Sequence, residues 1–225
     1  MNFTVLKTNY TDKMEEIISV FIYIHAFFGG LGLISGIGSI VVKKGSIPHK
    51  RFGKLFSIGM LVSSLISIPI ACLPNHQNIF LLLIGLFTIY LVISGNKALT
   101  FKSKAKTAAT VTDKITSGSM FFFSVVMILL GAYYLFKGST SAFLLFVFFG
   151  GFGFLLSIKD FIFYKNLSTK RNLWLTNHVG KIVGAFIASV TAFLVAGLSL
   201  NNLIAWMLPT ILGTIYIVYW KRKLK

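Results

Sequence analysis

The sequence predicts an all-α integral membrane protein with seven transmembrane helices, and three observations lead there. The 225 residues are 56% hydrophobic with a mean hydropathy of +0.83, whereas the apolar share of a soluble domain is nearer about half. The apolar residues fall into seven runs that approach or exceed the roughly 20 residues of a bilayer-crossing helix: 17–42, 53–73, 79–99, 119–136, 142–164, 178–200 and 203–220. The lysines and arginines behind the net charge of +17 sit in short connections between those runs. That is a pattern of membrane topology, and it argues against a nucleic-acid partner.

The first helix is expected to begin near Lys13, where Asp12 and Glu15 have the spacing of a capping box. Residues 1–16 form a tail with no apolar core, and the first run is too long for a cleaved signal, so the helix is expected to stay. Its length calls for tilt or protrusion. Pro48 precedes the second helix, with His49 in a loop after it, and Pro69 and Pro209 fall inside the second and seventh runs. Cys72 is the single cysteine, which excludes an intrachain disulfide.

Orientation follows from the cations. Lys43, Lys44, Lys50, Arg51 and Lys54 lie between helices one and two; Lys97, Lys102, Lys104, Lys106 and Lys114 between three and four. Lys159, Lys165, Lys170, Arg171 and Lys181 surround the fifth to sixth connection, and Lys221 to Lys225 close the chain. Lys7, Lys13 and Lys137 fall on the other side, and the loops at 74–78 and at Asn201 and Asn202 carry none. This places the N-terminus outside and the C-terminus in the cytoplasm, with anionic lipid headgroups facing the basic ends. Trp174, Trp206 and Trp220 suit an aromatic belt.

Phe27-Phe-Gly-Gly-Leu-Gly32 in the first helix returns as Phe148-Phe-Gly-Gly-Phe-Gly153 in the fifth, and Thr88-Ile-Tyr90 in the third returns as Thr214-Ile-Tyr216 in the seventh. The expected architecture is therefore two parallel three-helix repeats, 17–99 and 142–220, joined by a linker helix at 119–136 and followed by a basic tail at 221–225.

Few residues in the runs carry chemistry. His25, Gly29, Gly32 and Gly36 share one face of the first helix, a spacing that points to close packing with His25 turned inward, as a hydrogen-bonded residue or as a ligand. Thr88, Tyr90, Thr214 and Tyr216 are, with His25, the candidate lining of a solute pathway. Gly150, Gly153 and Ser157 lead to Asp160, the only acid expected inside an apolar run, near His178, Lys181, Asn96 and Lys97. Asp160 should pair with a cation or with His178, as an anchor of helix ends or as a gate. No metal site is evident, and no cofactor is expected. Haem b held by His49 and His178 is the alternative, since His25 and His76 lie toward the opposite side. No HExxH, P-loop, Cys and His cluster or Ser-His-Asp order suggests an enzyme, and the seventh run has no lysine for a retinal Schiff base.

The chain resembles a family of uncharacterised bacterial multi-pass membrane proteins. The resemblance rests on His25 and its glycines, Lys44-Gly45, His49-Lys-Arg-Phe-Gly53, Ser94-Gly-Asn-Lys-Ala-Leu99, Asp160, Asn177-His178, Thr191-Ala-Phe193 and Trp206-Met-Leu-Pro209. Where that family carries an aromatic residue and an arginine, this chain has Asn96 and Lys97. The resemblance implies a bacterial cytoplasmic (inner) membrane and no particular activity. The arrangement of three, one and three helices is similar to that of SWEET-type sugar carriers, whose proline pattern is absent here. The expected function is to bind or transport a small solute or lipid; a haem redox protein and a scaffold subunit of a membrane complex are the alternatives.

Overall fold

The computed structural model describes residues 3–102, 106–167, 172–200 and 203–224. The cations Lys104, Lys170, Arg171 and Lys225, and the loop residues Asn201 and Asn202, lie outside the described residues, as does the Asp12 side chain. Among the described residues the protein is helical without strands, and seven helices are long and apolar enough to cross a membrane. They are α1 (Phe3–Val41), α2 (Ile47–Ile70), α3 (Ile79–Ala98), α4 (Val111–Phe136), α5 (Thr140–Lys165), α6 (Leu173–Ala192) and α7 (Leu203–Lys223). A 3-10 turn, Leu99–Lys102, extends α3, and a π turn, Phe193–Gly197, extends α6.

Several expected boundaries are corrected. Helix α1 does not begin near Lys13: it runs through Asp12 and Glu15 from Phe3. No glycine or proline interrupts that stretch, and Glu15 instead meets Asn75 Nδ2 at 3.0 Å and His76 Nε2 at 3.2 Å. Helix α2 starts at Ile47 rather than residue 53 and stops at Ile70. The Ser46 side chain accepts from the His49 amide at 3.3 Å, and Pro48 sits in the first turn, where no amide hydrogen is needed. His49 is thus helical, not in a loop. Helix α4 starts at Val111 rather than residue 119, fixed by a reciprocal capping box between Thr110 and Asp113. Helix α6 starts at Leu173, which puts His178 in its second turn.

The chain forms two compact units, Met1–Gly85 and Leu86–Lys225. In the first, α1 and α2 pack along each other through glycine. A Cβ on Gly59 would stand 2.8 Å from the Phe28 carbonyl oxygen and 2.9 Å from Gly32 Cα, so the backbones meet where no side chain fits. Helix α1 ends with the Lys44 ammonium donating to the carbonyls of Ser39 (2.9 Å) and Ile40; partial burial pulls the Lys44 pKa below the usual lysine value. Gly45 then turns the chain at φ +78°.

In the second unit, α4 and α5 mate through matching stripes. The buried positions of α4 are Asp113, Ser117, Met120, Ser124, Met127 and Gly131, at spacings of four and three. Those of α5 include Phe146, Gly150, Gly153, Ser157 and Asp160, again at four and three. Such a 3.5-residue period is the seam of two helices crossing at a shallow angle. A Cβ on Gly153 would meet Ser124 Oγ at 2.5 Å, and one on Gly150 would meet Met127 Cβ at 2.9 Å. The remaining core gathers on α3, where Leu91 and Val92 are fully buried, with Gly95 against Lys181 and Ile182 of α6.

Candidate functional site

The α5 stripe ends in a carboxylate, and the core of the second unit is built to hold it. Asp160 has 0% exposure and Lys181 4%. Asp160 Oδ1 pairs with the Lys181 ammonium, and Oδ2 accepts from Tyr90 OH at 2.7 Å and from Ser117 Oγ at 2.8 Å. Helices α3, α4, α5 and α6 each contribute one group, so one acid ties four helices together. The Lys181 ammonium also stands 5.3 Å from the centroid of the Tyr90 ring. Isolated, either charge would be costly at this depth; paired and hydrogen-bonded, the two are tolerated. Removing one partner strands the other.

From Ser117 the polar contacts continue. Ser117 Oγ lies 2.9 Å from Tyr164 OH, which reaches the Asp113 carbonyl oxygen at 3.4 Å. Asp113, at 1% exposure, forms a second ionic cluster: Lys106 at 2.8 Å and Lys97 at 3.4 Å, with the Thr110 amide and hydroxyl donating at 2.9 and 2.8 Å. Asp160 is therefore not the only acid inside a helix long enough to cross a membrane. The pattern Thr-x-x-Asp before an apolar run carried that information, because a capping box moves the helix start upstream.

The structure brings together some of the expected residues and separates others. Asp160, Lys181 and Tyr90 meet. His178 turns elsewhere, its Nδ1 2.9 Å from the Gly95 carbonyl oxygen; Asn96 donates to the Val92 carbonyl at 3.0 Å, and Lys97 serves Asp113. Thr88 is buried, at 5% exposure, whereas Thr214 is exposed and Tyr216 half-buried. In the first unit, His25 Nδ1 lies 2.9 Å from the Ser63 carbonyl oxygen, and His49 Nδ1 lies 3.1 Å from the Ser39 carbonyl oxygen. No group of three or more His, Cys, Asp or Glu side chains that could hold a metal occurs among the described residues.

The related glycine stripes of the first and fifth helices also choose different neighbours. That of α1 packs on the following helix, α2, while that of α5 packs on the preceding one, α4. The helix expected to serve as a linker is thus a full packing partner.

Set against protein-family models, curated proteins and solved structures, the chain matches none. The family resemblance read from its motifs stands on those residues alone.

Proposed function

We propose that the chain is a carrier-like protein of a bacterial cytoplasmic membrane that binds or passes a small solute or a lipid, with the Asp160–Lys181 pair as its gate. The observation that carries this reading is the complete burial of a carboxylate whose partners come from three other helices. A buried ion pair contributes little to stability beyond what apolar residues of similar volume provide. Ionisable groups retained inside a membrane bundle mark pathways and gates by default. Exchange of partners at Asp160 or Lys181 would loosen α3, α4, α5 and α6 together, which is the coupling a gate requires.

The topology proposed with it has the N-terminus outside and the basic ends of the helices among cytoplasmic anionic headgroups. Its support is the uneven distribution of cations: several in the α1 to α2 and α3 to α4 connections and at the chain end, none in residues 71–78. The duplication of three helices rests on the repeated sequence, and the different packing partners of the two glycine stripes weigh against a strict structural repeat. The pathway is accordingly assigned to the polar core of the second unit.

Proteoliposomes containing the full chain test the function. Loaded with labelled amino acids, sugars and organic acids, or with fluorescent phospholipid in one leaflet, they should release or redistribute at least one probe faster than protein-free liposomes. Equal rates for every probe would overturn the reading.

A further inference from the structure

The C-terminal end of α7 presents cations that no carboxylate among the described residues neutralises. Beyond Glu16 the sequence contains only two acids, Asp113 and Asp160, and both are buried and taken by Lys97, Lys106 and Lys181. Lys159 on α5 and Lys221, Arg222 and Lys223 on α7 have no carboxylate partner among the described residues. Lys221 backs onto Gly180 of α6, whereas Arg222 and Lys223 line an open groove. Like charges gathered in one groove, as Arg222 and Lys223 are, are stabilised by an anion placed between them.

The groove beside them has the shape of an amphiphile. Thr214, Ile215, Val218, Tyr219, Arg222 and Lys223 line an open groove of about 470 Å³ along α7. Its inner part is apolar, with Ile215 62% and Val218 42% exposed; its outer part is cationic, with Lys223 5.9 Å from the Tyr219 ring centroid and 5.3 Å from that of Trp220. Phosphate against Arg222 and Lys223, glycerol beside Tyr219, and acyl chain against Val218 and Ile215 is the arrangement this order of residues accommodates. Arginine binds phosphate oxygens in pairs and lysine adds point charge.

We propose that this groove is a binding site for an anionic phospholipid, held by Arg222 and Lys223. The proposal rests on the reading that the basic helix ends face anionic headgroups. It goes further in assigning one lipid to one groove.

The test uses the full chain purified in detergent, with thermal unfolding followed after addition of phosphatidylglycerol, phosphatidylcholine or inorganic phosphate, and retained lipid counted by native mass spectrometry. Phosphatidylglycerol should raise the melting temperature above the phosphatidylcholine value and remain bound. Arg222→Gln with Lys223→Gln should remove more than half of that increment. The charge-matched pair Lys50→Gln with Arg51→Gln, both exposed at the start of α2, should keep it. Ile215→Asn, which leaves the cations in place, should reduce retention of the lipid. Equal loss in both double variants would overturn the groove while leaving a general attraction to anionic surfaces. No increment from phosphatidylglycerol would overturn both. An equal increment from inorganic phosphate would make the site one for the free anion, and a shift from dimer to monomer in the groove variants without change in lipid retention would assign the face to a second copy of the chain. Either result defeats the lipid proposal.

Discussion

Asp160 on α5 and Lys181 on α6 form an ion pair from which water is excluded, the acid side chain being 0% and the lysine side chain 5% exposed. Asp160→Asn removes the charge but keeps the shape, and it leaves Lys181 buried without a counter-ion. A loss of about 3–5 kcal/mol of stability is expected, read as a lowered melting temperature in detergent. Tyr90→Phe deletes one donor to the charged oxygen and should lose about 1.5–3 kcal/mol. A double variant, Asp160→Leu with Lys181→Met, should recover most of the loss of the single variant, because no charge then remains unpaired. A double variant as unstable as Asp160→Asn would remove the ionic account.

Backbone contact between α1 and α2 makes a second expectation. Gly59→Ala places a methyl group against the backbone of Phe28 and Gly32, which cannot move without separating the helices. It should destabilise by about 1–3 kcal/mol. Gly30→Ala, which meets nothing within 4 Å, should leave the melting temperature near that of the wild type. Indistinguishable variants would mean that the helices do not approach as described.

Topology is open to direct labelling with the native cysteine. Cys72 is exposed in the connection between α2 and α3, which carries no cation and is assigned to the outside. Ala108 is exposed in the basic connection that leads into α4, which is assigned to the cytoplasm. A membrane-impermeant maleimide should modify Cys72 in intact cells and should fail to modify Ala108→Cys in a Cys72→Ser background. The reverse pattern would invert the orientation.

Loss of the second buried acid should act locally. Asp113 caps α4 and holds Lys97 and Lys106, so Asp113→Ala should loosen the 3-10 turn after α3 and the start of α4. Faster hydrogen exchange confined to 99–117 is the expected sign. Unchanged exchange there would show that the capping box fixes nothing.

The seven helices were legible because apolar run length is a property of sequence alone. Their starts were less so: the first, second, fourth and sixth helices begin well upstream of the apolar runs, and for the second and fourth the polar first turn is stabilised by a cap, Ser46 or Thr110, that hydropathy does not register. Asp160 and Lys181 were both recognisable as candidates, because an acid at the end of a Gly-Gly-Ser stripe has to face a neighbour. That its other partners are Tyr90 and Ser117 was not legible. Tyr90 belongs to a helix 70 positions away in sequence, and the choice between His178 and Lys181 depended on the rotation of α6, which packing against Gly95 sets. The sequence repeat was equally visible, but two similar glycine stripes do not dictate which neighbour each one meets.

The central claim is that Asp160 and Lys181 do more than hold helices together, and flux through the stability-matched double variant tests it most directly. Proteoliposomes with wild-type protein, Asp160→Asn, or Asp160→Leu with Lys181→Met are to be compared for release of whichever probe the wild type moves. The account predicts a double variant that melts near the wild-type temperature yet moves the probe at the protein-free rate. A double variant that is stable and moves the probe at the wild-type rate would contradict it, reducing the pair to an anchor.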